Sequence, residues 1–415
     1  MRSRHVRSAP LTLATSVLIF AASLVAGIAI ARALGPSGKG DLARLVVFAA
    51  LAFDVASFGV DQTITVFVAQ IPDKRRELMR ALDFPVRLQA LAGVGIYLLL
   101  TVIAGTFEPR LLVPLVAYGL LVATQIHMVR NRSYLLGRGD FMRLNATRVL
   151  SEALPAAFIL LLAVFAQLTL ASAAVSYLAG VGIAFWFAAS AVRPDMETAV
   201  APVQKYFSGM KSFWSFSRRN FASIIAARGN SQVDLLLLSL LAISTARVGE
   251  YSVASTAGIS IAIIGGSFGM VVLSRVGKVH RGVSPWPVLF PILLAALGLA
   301  ALAAVALWFL APTLIPLIYG EAFSASIRPA QILAIGGFSV STTHVLGAAL
   351  RGVDRPGSVT VAEGVGVLVT ILCIAIFGIR DLELVAVSAV AGFAATLALE
   401  AAFLVAVLRS LGHGN

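Results

Sequence analysis

One apolar run of this chain holds five side chains that lipid does not tolerate. In RRNFASIIAARGNSQVDLLLLSLLAI, Asn220, Arg228, Asn230, Gln232 and Asp234 fall within a single membrane-length stretch. Arg228 stands about ten residues, roughly 15 Å along a helix, from the Arg218-Arg219 pair. A guanidinium at that depth costs about 2.5–3.5 kcal/mol unless it meets water or a partner. Two arrangements answer that cost. In one, Arg228 lines a watery cavity and binds an anionic substrate, with Asn230, Gln232 and Asp234 beside it. In the other, it forms an internal ion pair with Asp54, Asp61 or Asp234.

A second set of carboxyls asks the same question. Asp54 and Asp61 are seven residues apart in another apolar run, a spacing that puts both on one side of a continuous helix. A carboxylate there takes up a proton, coordinates a sodium ion, or pairs with Arg228 or Arg87. Glu152 and Glu363 lie near Arg148 and Arg355, either as snorkelling interfacial pairs or as parts of a cytoplasmic gate. Arg32, at the end of the first run, caps carbonyls and touches headgroups or closes an outer gate. His344, among Ser and Thr, is a packing residue or a proton relay, and Glu400 is paired or snorkelling.

The elements that carry these residues are membrane helices. Of 415 residues, 59% are hydrophobic and only 12% charged, and the mean hydropathy is +0.94. That composition belongs to an integral membrane protein. About twelve runs of roughly 20 residues are long enough to cross ~30 Å of hydrocarbon as helices. They fall near 11–34, 43–70, 84–106, 111–130, 149–167, 171–191, 218–243, 249–273, 287–310, 329–350, 359–379 and 382–408. Continuous apolarity excludes a barrel, which alternates over about ten residues.

The runs also repeat. Gly40-Asp41, between the first two runs, recurs as Gly249-Glu250; LGRGD before the run with Glu152 recurs as LRGVD before the run with Glu363. The expected fold is therefore all-α, with two parallel, pseudo-symmetric six-helix bundles. Residues 1–192 form one bundle, 193–217 a cytoplasmic linker, and 218–415 the other. Repeats in parallel orientation are one way secondary transporters are built, with the substrate site between the halves. Transport is the function this implies.

Basic residues set the orientation. With the amino terminus inside, the inner loops hold most of the Lys and Arg, among them Lys74, Arg75, Arg76, Arg138, Arg143, Arg351 and Arg355. The outer side has Arg32, Lys39, Arg44, Arg110, Arg247, Arg328 and Arg380. Both termini are thus expected in the cytoplasm, with the chain in a cell inner or plasma membrane. The net charge of +13 then reflects topology and lipid headgroups, not nucleic acid. Arg2, Arg4 and Arg7 before an apolar run imitate a signal peptide, but that run is long and the repeat requires it as helix 1. Cys373 is the only cysteine, so no disulfide or thiolate metal cluster is expected. GPSGKGD lacks the spacing and preceding strand of a phosphate-binding loop. Short outer loops argue against a glycan polymerase or ligase, and no enzyme motif is present. No cofactor is expected beyond a coupling Na+ or H+.

Several stretches resemble a known family. ARALGPSGKGDLA with SFGVD, VDLLLLSLLAISTARVGEYSVAST, and LIPLIYGEAFSASIRPAQILAIGGF followed by LGAALRGVDRPG are similar to oligosaccharide flippases. These form a branch of the multidrug/oligosaccharidyl-lipid/polysaccharide exporter superfamily. The resemblance implies alternating access around a central cavity and a polyprenyl-diphosphate-linked oligosaccharide flipped to the outer leaflet for polysaccharide biosynthesis. Arg228 suits the diphosphate, since charge-assisted bonds are strong where water is scarce; Asn230 and Gln232 suit sugar hydroxyls. Membrane lipids and glycan polymerase or ligase machinery are the implied partners, and a monomer suffices. The chain lacks room for the extra helix pair of the fourteen-helix lipid II flippases. The alternative is a multidrug and toxin cation exporter, whose cavity should be predominantly acidic.

Overall fold

The computed structural model describes residues 2–197, 209–241, 244–276 and 286–412, and among these every regular element is helical. Internal contacts divide the chain into two compact units, Met1–Ile224 and Ile225–Asn415. In the first, α1 (Arg2–Ser57) and α2 (Val60–Gln70) hold the first two spans. A short α3 (Arg75–Ala81) leads to α4 (Asp83–Ile103), α5 (Leu112–Arg138), α6 (Phe141–Val164) and α7 (Leu170–Glu197). Next, α8 (Met210–Leu241) crosses the division between units. The second unit continues with α9 (Thr245–Ile259), α10 (Ala262–Val276) and α11 (Trp286–Tyr319). It ends with α12 (Ile327–Gly352), α13 (Pro356–Phe377) and α14 (Leu382–Gly412).

Among the described residues, eleven helical stretches are long and apolar enough to cross a membrane, and the first, Leu18–Ser57, contains two spans. Forty helical residues would reach about 60 Å, twice the hydrocarbon thickness. Gly35 divides them, with a φ of 65° that only glycine adopts without strain. The same unit breaks its second span again. Phe58 (φ 50°) and Gly59 (φ 70°) are both left-handed and separate α1 from α2. The gap is held from the start of α8, where Ser217 Oγ donates to the Phe58 carbonyl at 2.5 Å. A Cβ on Gly59 would lie 2.7 Å from the Ser217 carbonyl oxygen. In the second unit the matching span is also interrupted, between Ile259 and Ala262.

Of the expected linker, residues 198–208, with Pro202 and Lys205, lie outside the described residues. Its last part is the beginning of α8. There Phe213 is fully buried, with its ring edge-on to Phe67 at 5.3 Å. Phe213 thus packs into the first unit, while Lys211, Ser212 and Ser215 on the same turn are exposed. Lys278 and Arg281, and the side chains of Arg2, Arg4 and Arg7, also fall outside the described residues.

In each unit the fourth span is the central one. Half of the α5 core window and 72% of that of α12 are buried, against 17–39% for the other spans. Small residues make this possible in α12. A Cβ on Gly265 of α10 would lie 1.9 Å from the Ser341 carbonyl oxygen, and one on Gly337 would lie 2.1 Å from that of Gly258 in α9. Backbones therefore touch backbones, the close approach that drives association where lipid offers no hydrophobic gain. In the first unit, Gly180 of α7 receives Pro155 of α6: a Cβ there would come within 2.3 Å of the proline Cδ. Hydroxyls along these helices bond their own carbonyls, as Thr342 does to Phe338 at 2.9 Å. This keeps polar groups satisfied away from water.

Candidate functional site

Four of the five polar residues singled out in α8 divide between two faces. Arg228 is exposed and Gln232, one turn on, is half-exposed; Asn230 and Asp234 turn inward. Gly229, between them, sits against Val367 of α13: a Cβ on it would come within 3.0 Å of Val367 Cγ2. Asn230 Oδ1 points at Gly366 of α13, 2.5 Å from where a Cβ would stand. Thr396 Oγ1 of α14 approaches the same point to 2.1 Å, and Thr370 Oγ1 comes within 2.0 Å of the corresponding point on Gly392. Among the described residues, Asn230 Oδ1 and Thr370 Oγ1 have no hydrogen-bond partner. Asn230 and Thr396 thus meet over Gly366, where the absent side chain leaves them room.

Asp234 is 2% exposed and accepts a hydrogen bond from Tyr251 Oη of α9 at 2.5 Å. This corrects two sequence expectations for Asp234. It does not line a wet space, and the bond that holds it is to a tyrosine, not to Arg228. A buried carboxylate needs such a donor, since leaving it unpaired would cost several kcal/mol (about the range for a buried ion).

In the first unit Asp54 is buried near the end of α1, and Ser57 Oγ donates to its backbone carbonyl at 3.1 Å. Asp61 follows in the first turn of α2, with Thr65 Oγ1 on its carbonyl at 3.1 Å. The break at Phe58-Gly59 lies between them, so the shared helical face expected from a seven-residue spacing does not exist. Arg32 is exposed, three residues before the Gly35 turn. At the Gly35 end of this unit, Asp41 pairs with Arg110 at 3.7 Å, and Arg110 with Glu108 at 2.5 Å.

The paired glutamates have neighbours that sequence reasoning placed one turn off or missed. Glu152 of α6 acts on Arg132 of α5 as well as on Arg148. Glu363 meets Arg351 at 3.8 Å, not Arg355. Glu400 is 1% exposed in α14, so it does not snorkel. His344 Nδ1 lies 3.2 Å from the Ala262 carbonyl, which requires that nitrogen to carry the hydrogen and makes the ring a packing contact. Other basic side chains of the first unit hold helix ends. Arg143 donates to the Ala191 carbonyl at 3.2 Å and Arg80 to that of Met196 at 3.1 Å. Arg138, with Tyr134, holds Asp195, beside a pocket of about 330 Å³ that Arg75 and Arg76 also line.

Both units are bundles of membrane-length helices, with polar residues gathered on a few spans. The description "polysaccharide biosynthesis protein" fits residues 6–275, and the chain belongs to that family. Solved structures share the fold. Lipid II flippase MurJ in an inward closed conformation matches with a TM-score of 0.74 at 14% identity, over 94% of this chain and 87% of its own. An inward-facing multidrug resistance MATE family transporter gives 0.64 at 14%, over 94% and 95%. The Vibrio cholerae MATE transporter VcmN gives 0.55 at 14%, over 96% and 98%. No curated protein sequence matches the chain.

Proposed function

We propose that the protein carries a polyprenyl-diphosphate-linked oligosaccharide from the cytoplasmic to the outer leaflet of a cell membrane, by alternating access coupled to Na+ or H+. The observation that carries this reading is Arg228, an exposed guanidinium midway along a membrane-length helix in a polysaccharide biosynthesis protein. A diphosphate is the anion a guanidinium binds best in a poorly hydrated space. Gln232 shares its face and suits sugar hydroxyls. A lipid II flippase moves a lipid-linked glycan on the same fold, an analogy that raises the expectation without assigning the cargo. Both termini belong in the cytoplasm on the distribution of Lys and Arg, and one chain supplies the whole transporter.

Deletion of the gene should make one polyprenyl-diphosphate oligosaccharide accumulate, measured by mass spectrometry of membrane lipids. An unchanged lipid profile with new sensitivity to cationic compounds would favour the exporter instead. Asp61 is the proposed ion-coupling residue at the start of α2, with Asp54 behind the helix break. Asp61→Asn should remove the Na+ or pH dependence of transport in proteoliposomes. Retention of that dependence would make Asp61 a structural residue.

A further inference from the structure

The second unit contains a cluster of charged residues that the flippase reading leaves unused. Glu400 of α14 is 1% exposed, nine residues before Arg409, or about 14 Å inside the end of its span. Its carboxyl occupies space left by Gly347 of α12, where a Cβ would come within 3.2 Å of Oε1. Its Oε2 has no hydrogen-bond partner among the described residues. Two elements pack against α14, and each brings one charged group to Glu400: α12 brings Arg351 and α13 brings Glu363. Arg351 pairs with Glu363, which is itself only 14% exposed, at 3.8 Å. Glu363 Oε2 likewise has no partner among the described residues.

The charges do not balance. Two ionised carboxylates and one guanidinium leave a net charge of minus one inside a helix bundle. An uncompensated buried ion is the arrangement proteins avoid, usually by neutralising the group. Two carboxylates that share a site cannot both ionise readily. One bound proton makes the cluster neutral. Because Arg351 already compensates Glu363, the proton belongs on Glu400.

We propose that Glu363 and Glu400 form a proton-binding pair in the second unit, with the proton on Glu400 and Glu363 held by Arg351. Arg351, 42% exposed, is the side from which the proton enters and leaves. In the loaded state Glu400 is a neutral acid seated on Gly347, and Glu363 stays ion-paired. Loss of the proton makes two carboxylates compete for one guanidinium, which pulls on the end of α12. As a coupling device this rests on the ion-driven transport reading; as a binding site it does not.

The test is infrared spectroscopy of the purified full-length protein in detergent at neutral pH, with carboxyl-labelled glutamate to separate Glu from Asp. Wild type should show a protonated-glutamate carbonyl band, and Glu400→Gln should lose it. Glu363→Gln should lose it as well, because Arg351 is then free to compensate an ionised Glu400. Absence of the band in wild type, or its survival in Glu400→Gln, would overturn the proposal. Survival in Glu363→Gln would reduce the pair to a lone buried acid and also overturn it. Thermal unfolding checks that each variant folds; should Glu400→Gln not fold, the labelled wild type and Glu363→Gln decide alone. Lipid accumulation on gene deletion reports the flippase reading separately, so either can fail without the other.

Discussion

Arg228→Ala is expected to lose most translocation of the lipid-linked substrate, and Arg228→Lys to retain part of it. A hydrogen bond to a charged group contributes about 1.5–3 kcal/mol, so its loss should slow transport by roughly tenfold to a hundredfold. Lysine keeps the charge but not the planar fork that fits two phosphate oxygens together. Arg228 is exposed, so truncation leaves no cavity, and a melting curve of each variant separates loss of folding from loss of transport. The measurement is lipid-linked oligosaccharide flipping in proteoliposomes, with protein content matched. Full activity in Arg228→Ala would take the residue out of the substrate path.

The second large effect is on stability. Gly265→Leu should strongly destabilise the second unit. Even a Cβ at Gly265 would stand 1.9 Å from the Ser341 carbonyl oxygen, a backbone atom that no rotamer change can move. Overpacking a well-filled core costs about 1–3 kcal/mol per added group, and occasionally more. Here two helices must part along their length, which places the cost at or above ~3 kcal/mol. Gly364→Leu is the control, since a Cβ on Gly364 of α13 meets nothing within 4 Å. Thermal unfolding in detergent should separate the two by about 10 °C, taking a few degrees per kcal/mol for a unit of this size. Equal melting temperatures would show that α10 and α12 can separate without cost.

The spans and their repeat were legible in the sequence because length and apolarity alone define a membrane helix. So was the boundary between the first two runs, placed between residues 34 and 43, where Gly35 turns the chain. The break at Phe58-Gly59 was not. Its apolar neighbours continue the hydrophobic run, and what stabilises the gap is Ser217, 159 residues away. That one missed turn undid the shared face of Asp54 and Asp61. Depth in the membrane made Arg228 stand out, but the direction of each neighbour depended on partners from other helices. Tyr251 against Asp234, and Gly366 against Asn230, carry no signal in the run that holds α8. Glu400 was flagged only as an ionisable residue in lipid; that Arg351 and Glu363 converge on it depends on how α12, α13 and α14 cross.

The glycine contacts around α12 also bear on how the chain is made. Synthesis delivers α9 and α10 to the membrane well before α12, so Gly258, Gly265 and Gly269 enter lipid with their shaved faces uncovered. Leu333, Ser341 and His344, the residues that cover them, arrive only after α11 has been inserted. Assembly of the second unit therefore waits for its fourth span. A nascent chain halted within α11 exposes a backbone surface that quality-control proteases or a neighbouring helix can claim.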